Sequence, residues 1–191
     1  MNDNGETMKR SRTTRALHWL AALAILTQLA LSLVMRSPGS NRPGDSWFEL
    51  HEKVGIAATA ILVAFWLWSM VRSGETRFVA FFPWFSPSQL KLVLADARRL
   101  FAPLREGHSE RPFASAIHGL GLVVATVMAG TGLLGYFVAS ARSLLGVHEA
   151  VAPLMWAYLV GHVGISIIHE VRGERIVVPM FRLDQGGITK K

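Results

Sequence analysis

Four stretches of the chain run at or near bilayer length without an Asp, Glu, Lys or Arg: Ala16 to Met35, Val54 to Val71, Phe113 to Ala141, and Ala150 to Ile168. A helix needs about 20 mostly apolar residues to cross the hydrocarbon layer. None of the four alternates apolar and polar positions as a barrel strand would. The pattern therefore predicts an all-α, integral membrane four-helix bundle, because helices and closed barrels are the structures that satisfy their backbone in lipid. With helix ends extending past the charge-free runs, the spans are expected at about 16–35, 51–72, 113–141 and 148–171. The bundle domain takes in residues 13–175, between polar tails at 1–12 and 176–191. The first run follows a polar stretch and is longer than a signal-peptide core, so it reads as a retained span.

The polar segments orient the bundle. Of 20 Lys and Arg residues, four stand outside three segments: before the first run, between the second and third, and after the fourth. Those four are Arg36, Arg42, Lys53 and Arg142. By the positive-inside rule both termini and the long connection from Arg72 to Pro112 are expected in the cytoplasm. Within that connection, Leu90, Val93, Leu94, Ala97, Leu100 and Phe101 recur at helical spacing beside Gln89, Lys91, Asp96, Arg98 and Arg99. This predicts an amphipathic helix begun near Pro87 and ended before Pro103, lying in the membrane interface or capping the bundle.

Composition sharpens the picture in three places. A net charge of +7 would suit nucleic acid, but topology already accounts for the basic residues, so no nucleic-acid partner is expected. The chain has no cysteine, which excludes disulfides, thiolate metal sites and haem attached through C-x-x-C-H. Trp19, Trp47, Trp84 and Trp156 fall near expected span ends, as interface anchors do.

The histidines do not fit a purely structural bundle. There are seven: His18, His51, His108, His118, His148, His162 and His169. Polar groups inside spans are costly and mark function by default, although a single one can serve as an interhelical hydrogen bond. His148 and His162, 14 residues apart, lie about 21 Å apart along a helix and about 40° apart around it, so they share one stripe at two depths. The first helix puts His18 at the cytoplasmic level, and the second puts His51 at the opposite one. Depth alone pairs His18 with His162 and His51 with His148. Two bis-imidazole pairs stacked through a bundle suit two six-coordinate, non-covalent haems, each iron held from two helices. Gly55 and Gly161, beside these positions, suit either a flat macrocycle or close helix packing. Arg10, Arg12 and Arg15 on one side, and Arg42, Lys53 or Arg142 on the other, are candidates to meet haem propionates.

The segments "RALHWLAA" (15–22) and "LHEKVGIAATAIL" (50–62), with "HE" at 148–149 followed by "GH" at 161–162, resemble the bacterial cytochrome b561 family and the b-type subunits of nickel–iron hydrogenases. The resemblance runs from Arg12 to about Arg172. It implies two haem b groups with axial ligands His18, His51, His148 and His162, a bacterial inner membrane location, and electron exchange with a quinone. "REGHSERP" (105–112) and "TGLLGY" (131–136) are similar to the hydrogenase-type members, with Ser109, Glu110 and Arg111 departing from that pattern.

The remaining histidines are assigned by position. His118 suits an interhelical hydrogen bond or a donor to a quinone carbonyl, His169 stands in reserve for His162, and His108 belongs to a solvated loop. The expected function is thus a membrane di-haem b-type cytochrome passing electrons to or from quinone. Its partners are lipid and quinone, with a redox protein subunit or a second copy compatible with the same surface. The alternatives are the membrane anchor of a larger hydrogenase-like complex and, in another class, a histidine-lined metal-ion transporter. Metal-transport sites usually add carboxylates or thiolates, and the four apolar runs contain neither.

Overall fold

The computed structural model of the chain describes residues 11–73, 78–99 and 112–171, leaving aside the side chains of Phe78, Val79, Arg99 and His169. Within these the protein is helical: α1 (Arg12–Val34), α2 (Ser46–Val71), α3 (Pro87–Arg99), α4 (Pro112–Phe137) and α5 (Leu144–Val171). No strand occurs among the described residues, and α1, α2, α4 and α5 are each long and apolar enough to cross a membrane.

Three of the long helices start where local chemistry satisfies free N–H groups of a first turn. Ser11 caps α1 by accepting from the Thr14 N–H, and Asp45 caps α2 by accepting from the Phe48 N–H at 2.9 Å. The helix α4 begins on Pro112, whose missing N–H costs nothing there, and the Asp96 carboxylate of α3 accepts from the Phe113 N–H at 3.1 Å. These caps lie outside the charge-free runs. As a result α2 starts at Ser46 and α5 at Leu144, a turn or more before their runs. Polar first turns are tolerated because 26 to 28 residues give about 40 Å of helix, longer than the hydrocarbon is thick. The third span ends earlier than Ala141. Its α-helix stops at Phe137, Val138 is extended, and Ala139–Ala141 forms a 3-10 turn leading to α5.

The spans meet around a small core of Leu29, Val124, Ala125 and Met155, surrounded by Ile25, Leu62, Met128 and Val151. All four long helices contribute to it. Outside this core, Leu23, Leu33, Leu67 and Val160 are exposed, the expected face of a bundle solvated by lipid. Pro153 lies inside α5 without ending it.

The connection after α2 folds back onto the bundle. Short 3-10 turns at Phe78–Phe81 and Pro83–Phe85 lead into α3, and the Phe81 backbone lies so close to Gly119 that a Cβ there would collide with it. The predicted start of α3 at Pro87 is where it occurs; the expected Leu100 and Phe101 positions lie outside the described residues. Val93 of α3 is buried, whereas Leu90, Leu92 and Leu94 remain exposed.

Candidate functional site

The helix starts fix the depth of the histidines. The Ser11 cap makes His18 the seventh residue of α1, and the Asp45 cap makes His51 the sixth residue of α2. His148 lies in the second turn of α5, and His162 follows it 14 residues later, nearly four turns along the same stripe.

The rings then meet in two groups. His51 and His148 have ring centroids 6.2 Å apart with planes at 88°. His18 and His162 have centroids 6.3 Å apart with planes at 61°. Two imidazoles that hold one metal from opposite sides, through metal–nitrogen bonds of about 2 Å, have centroids roughly 6 Å apart. Both pairs meet that spacing. His118 joins the second group, 6.1 Å from His18 and 4.9 Å from His162. The shorter distance is too small for His118 and His162 to hold one metal from opposite sides, while the His18–His118 distance is not.

Ring chemistry supports the fit. The His148 Nδ1 lies 2.9 Å from the Met128 carbonyl oxygen. A carbonyl only accepts, so Nδ1 carries the proton and Nε2 keeps its lone pair for a metal. His118 is in the same tautomer, donating from Nδ1 to the Ala114 carbonyl at 2.7 Å. That bond lies within α4. The His51 Nδ1 is buried with no hydrogen-bond partner among the described residues, an arrangement that leaves its polarity for a group that the protein does not supply.

Several residues shape these groups. Gln28 of α1 donates from Nε2 to the His51 carbonyl at 2.8 Å, and its amide lies over Gly55, where a Cβ would stand 3.4 Å from it. At Gly161 a Cβ would meet nothing within 4 Å, so open space adjoins His162. Tyr158 stacks on His162 at 5.5 Å and 16°, with its phenol directly over Gly121. An apolar cavity of about 310 Å³ between α4 and α5 is lined by Ile117, Leu120, Leu154, Tyr158, Gly161 and His162.

Of the candidate cations, Arg15 is 6% exposed, one turn before His18, and its neighbour Thr14 accepts from the Trp68 indole at 2.8 Å. Arg12, Arg42, Lys53 and Arg142 are exposed, and Lys53 faces Glu49 at 3.7 Å. Arg10 and His108 lie outside the described residues, as does the His169 side chain, although the His169 backbone is in α5. The longer helices take in Glu52 and Glu149, the sequence neighbours of His51 and His148. Even so, no three His, Asp or Glu side chains among the described residues gather as a metal-ion site would.

The family model for prokaryotic cytochrome b561 matches residues 9–182. The chain belongs to that family. No curated protein and no solved structure matches it. The protein is accordingly a multi-pass membrane cytochrome of the b type that works in electron transfer. In this cytochrome the four histidines carried over from the sequence stand in two facing pairs. Gln28 and Tyr158 were not foreseen. An amide in mid-span was a usable signal for Gln28, and Tyr158 is one of only two tyrosines, four residues before His162.

Proposed function

We propose that this b561 cytochrome binds two haems, with His18 and His162 holding one iron and His51 and His148 the other, and that it exchanges electrons with a quinone. The reading is carried by one observation: two histidine pairs with ring centroids 6.3 and 6.2 Å apart, whose α5 members are 14 residues apart. The alternative partner for His18 is His118, which meets the same spacing. His162 is preferred because it shares the α5 stripe with His148 and stands at the family's "GH" position.

When bound, a bis-imidazole b haem supplies one-electron chemistry and leaves no coordination position open. The chain's own part is to hold, orient and keep dry. His148 is kept in the ligand tautomer by the Met128 carbonyl, and Gln28 fixes the backbone at His51. Arg15, buried one turn before His18, offers a guanidinium to a propionate at that level. Leu29, Val124 and Met155 fill the bundle between the two levels and exclude water. The distribution of Lys and Arg supports an orientation with both termini and the α2–α4 connection on the cytoplasmic side, and the family resemblance supports a bacterial inner membrane. His18 and His162 are then the cytoplasmic pair.

The quinone half of the proposal is tested by adding a quinol anaerobically to the oxidised, haem-loaded protein in nanodiscs. Reduced α-band absorbance should appear. A protein that is fully reducible by dithionite but inert to quinols would contradict quinone as the partner.

A further inference from the structure

The helix α4 gives no histidine to the His51–His148 pair, yet it is α4 that receives the His148 ring. The His148 Nδ1–H donates to the Met128 carbonyl at 2.9 Å, and the Thr131 hydroxyl oxygen lies 3.5 Å from the same nitrogen and 3.2 Å from the same carbonyl. The ring thus lies against one turn of α4. Directly beneath it is Gly132, where a Cβ would come within 3.1 Å of both Cε1 and Nδ1 of His148. That is tighter than van der Waals contact. The glycine two residues earlier behaves differently, because a Cβ at Gly130 would meet nothing within 4 Å.

We propose that Gly132 is a positioning residue for His148: its missing side chain opens the seat on α4 in which the imidazole lies flat enough to donate to Met128. The inference rests on the ligand reading above and deepens it. Small residues in membrane helices commonly serve close helix packing. Here the atoms that a methyl group would strike belong to the imidazole itself. A hydrogen bond from the outer N–H makes the inner nitrogen a stronger donor, which favours the oxidised metal and lowers the potential. A methyl group at 132 pushes the ring off its carbonyl and turns it. The potential of that haem should then rise, and the other haem should be unaffected.

The test compares Gly132→Ala, Gly130→Ala and Thr131→Val in the full-length, haem-loaded protein. The readouts are haem content, resolved midpoint potentials and low-temperature EPR. In Gly132→Ala one potential of the two should rise, by a few-fold to about tenfold in its one-electron equilibrium, ~59 mV at the upper end. The EPR signal of the same haem should move with it. Gly130→Ala should match the wild type. Thr131→Val should give a smaller change confined to the same haem, and it decides the matter if Gly132→Ala does not accumulate. Selective loss of that one haem in Gly132→Ala would also support the seat. Two haems with unchanged potentials and EPR in both Gly132→Ala and Thr131→Val would overturn it, as would equal shifts of both haems. A wild-type protein with fewer than two haems would instead count against the ligand reading.

Discussion

His51 and His148, almost a hundred residues apart in the chain, face each other with ring centroids 6.2 Å apart and ring planes at 88°. The corresponding angle between His18 and His162 is 61°. The angle between axial imidazole planes sets the splitting of the iron d orbitals. The oxidised protein should therefore give two distinct low-spin EPR signals, the more anisotropic one from the His51–His148 haem. That signal should vanish in His51→Ala and in His148→Ala and persist in His18→Ala. Two superimposable signals would contradict the geometry.

The third histidine at the other end yields a sharper prediction. His162→Ala should lose the haem that His18→Ala loses, while His118→Ala should keep both. His169→Ala should also keep both. Retention of two haems in His162→Ala, with one lost in His118→Ala, would reassign the partner of His18. Pyridine haemochrome assays on the single variants distinguish these cases.

Gln28 ties α1 to α2 at the level of His51. Interhelical hydrogen bonds in membranes contribute about 0.6 kcal/mol on average and up to about 1.7. Gln28→Ala should destabilise the protein by that order and loosen the His51 haem selectively. Thermal melting followed at the Soret band, compared with wild type, checks both effects.

The cap of α2 titrates. Desolvation raises the Asp45 pKa, but N–H donors from Phe48, Arg36 and Trp47, together with the Arg36 guanidinium, outweigh it and hold the carboxyl below its ordinary value. A depressed folded pKa means that the contribution is complete above the unfolded pKa and is lost as pH falls through the folded one. Wild type should therefore lose melting temperature at acid pH relative to Asp45→Asn, whose cap does not titrate. Parallel pH profiles would show that the Asp45 charge contributes nothing.

Much of this was legible in the chain. Four charge-free runs announce four spans because lipid forces each to be a closed hydrogen-bonded helix, and the α5 stripe follows from a spacing of 14 residues. Helix starts were less visible, since Ser11, Asp45 and Asp96 act through side-chain geometry beyond the apolar runs, Asp96 from another helix. The second layer was hidden for a related reason. The carbonyl of Met128 and the bare backbone of Gly132 have no side-chain chemistry to read, and their effect on His148 exists only once α4 and α5 are packed. For His118, depth was readable, but the bond to Ala114 within its own helix was not.

The most direct measurement is haem per chain in the purified protein, in wild type and in the four single variants His18→Ala, His51→Ala, His148→Ala and His162→Ala. The account predicts two b haems in wild type and one in each variant. The double variants His18→Ala/His162→Ala and His51→Ala/His148→Ala should still hold one, and His18→Ala/His51→Ala none. One haem per wild-type chain, or complete loss in His51→Ala/His148→Ala, would contradict the two-pair assignment.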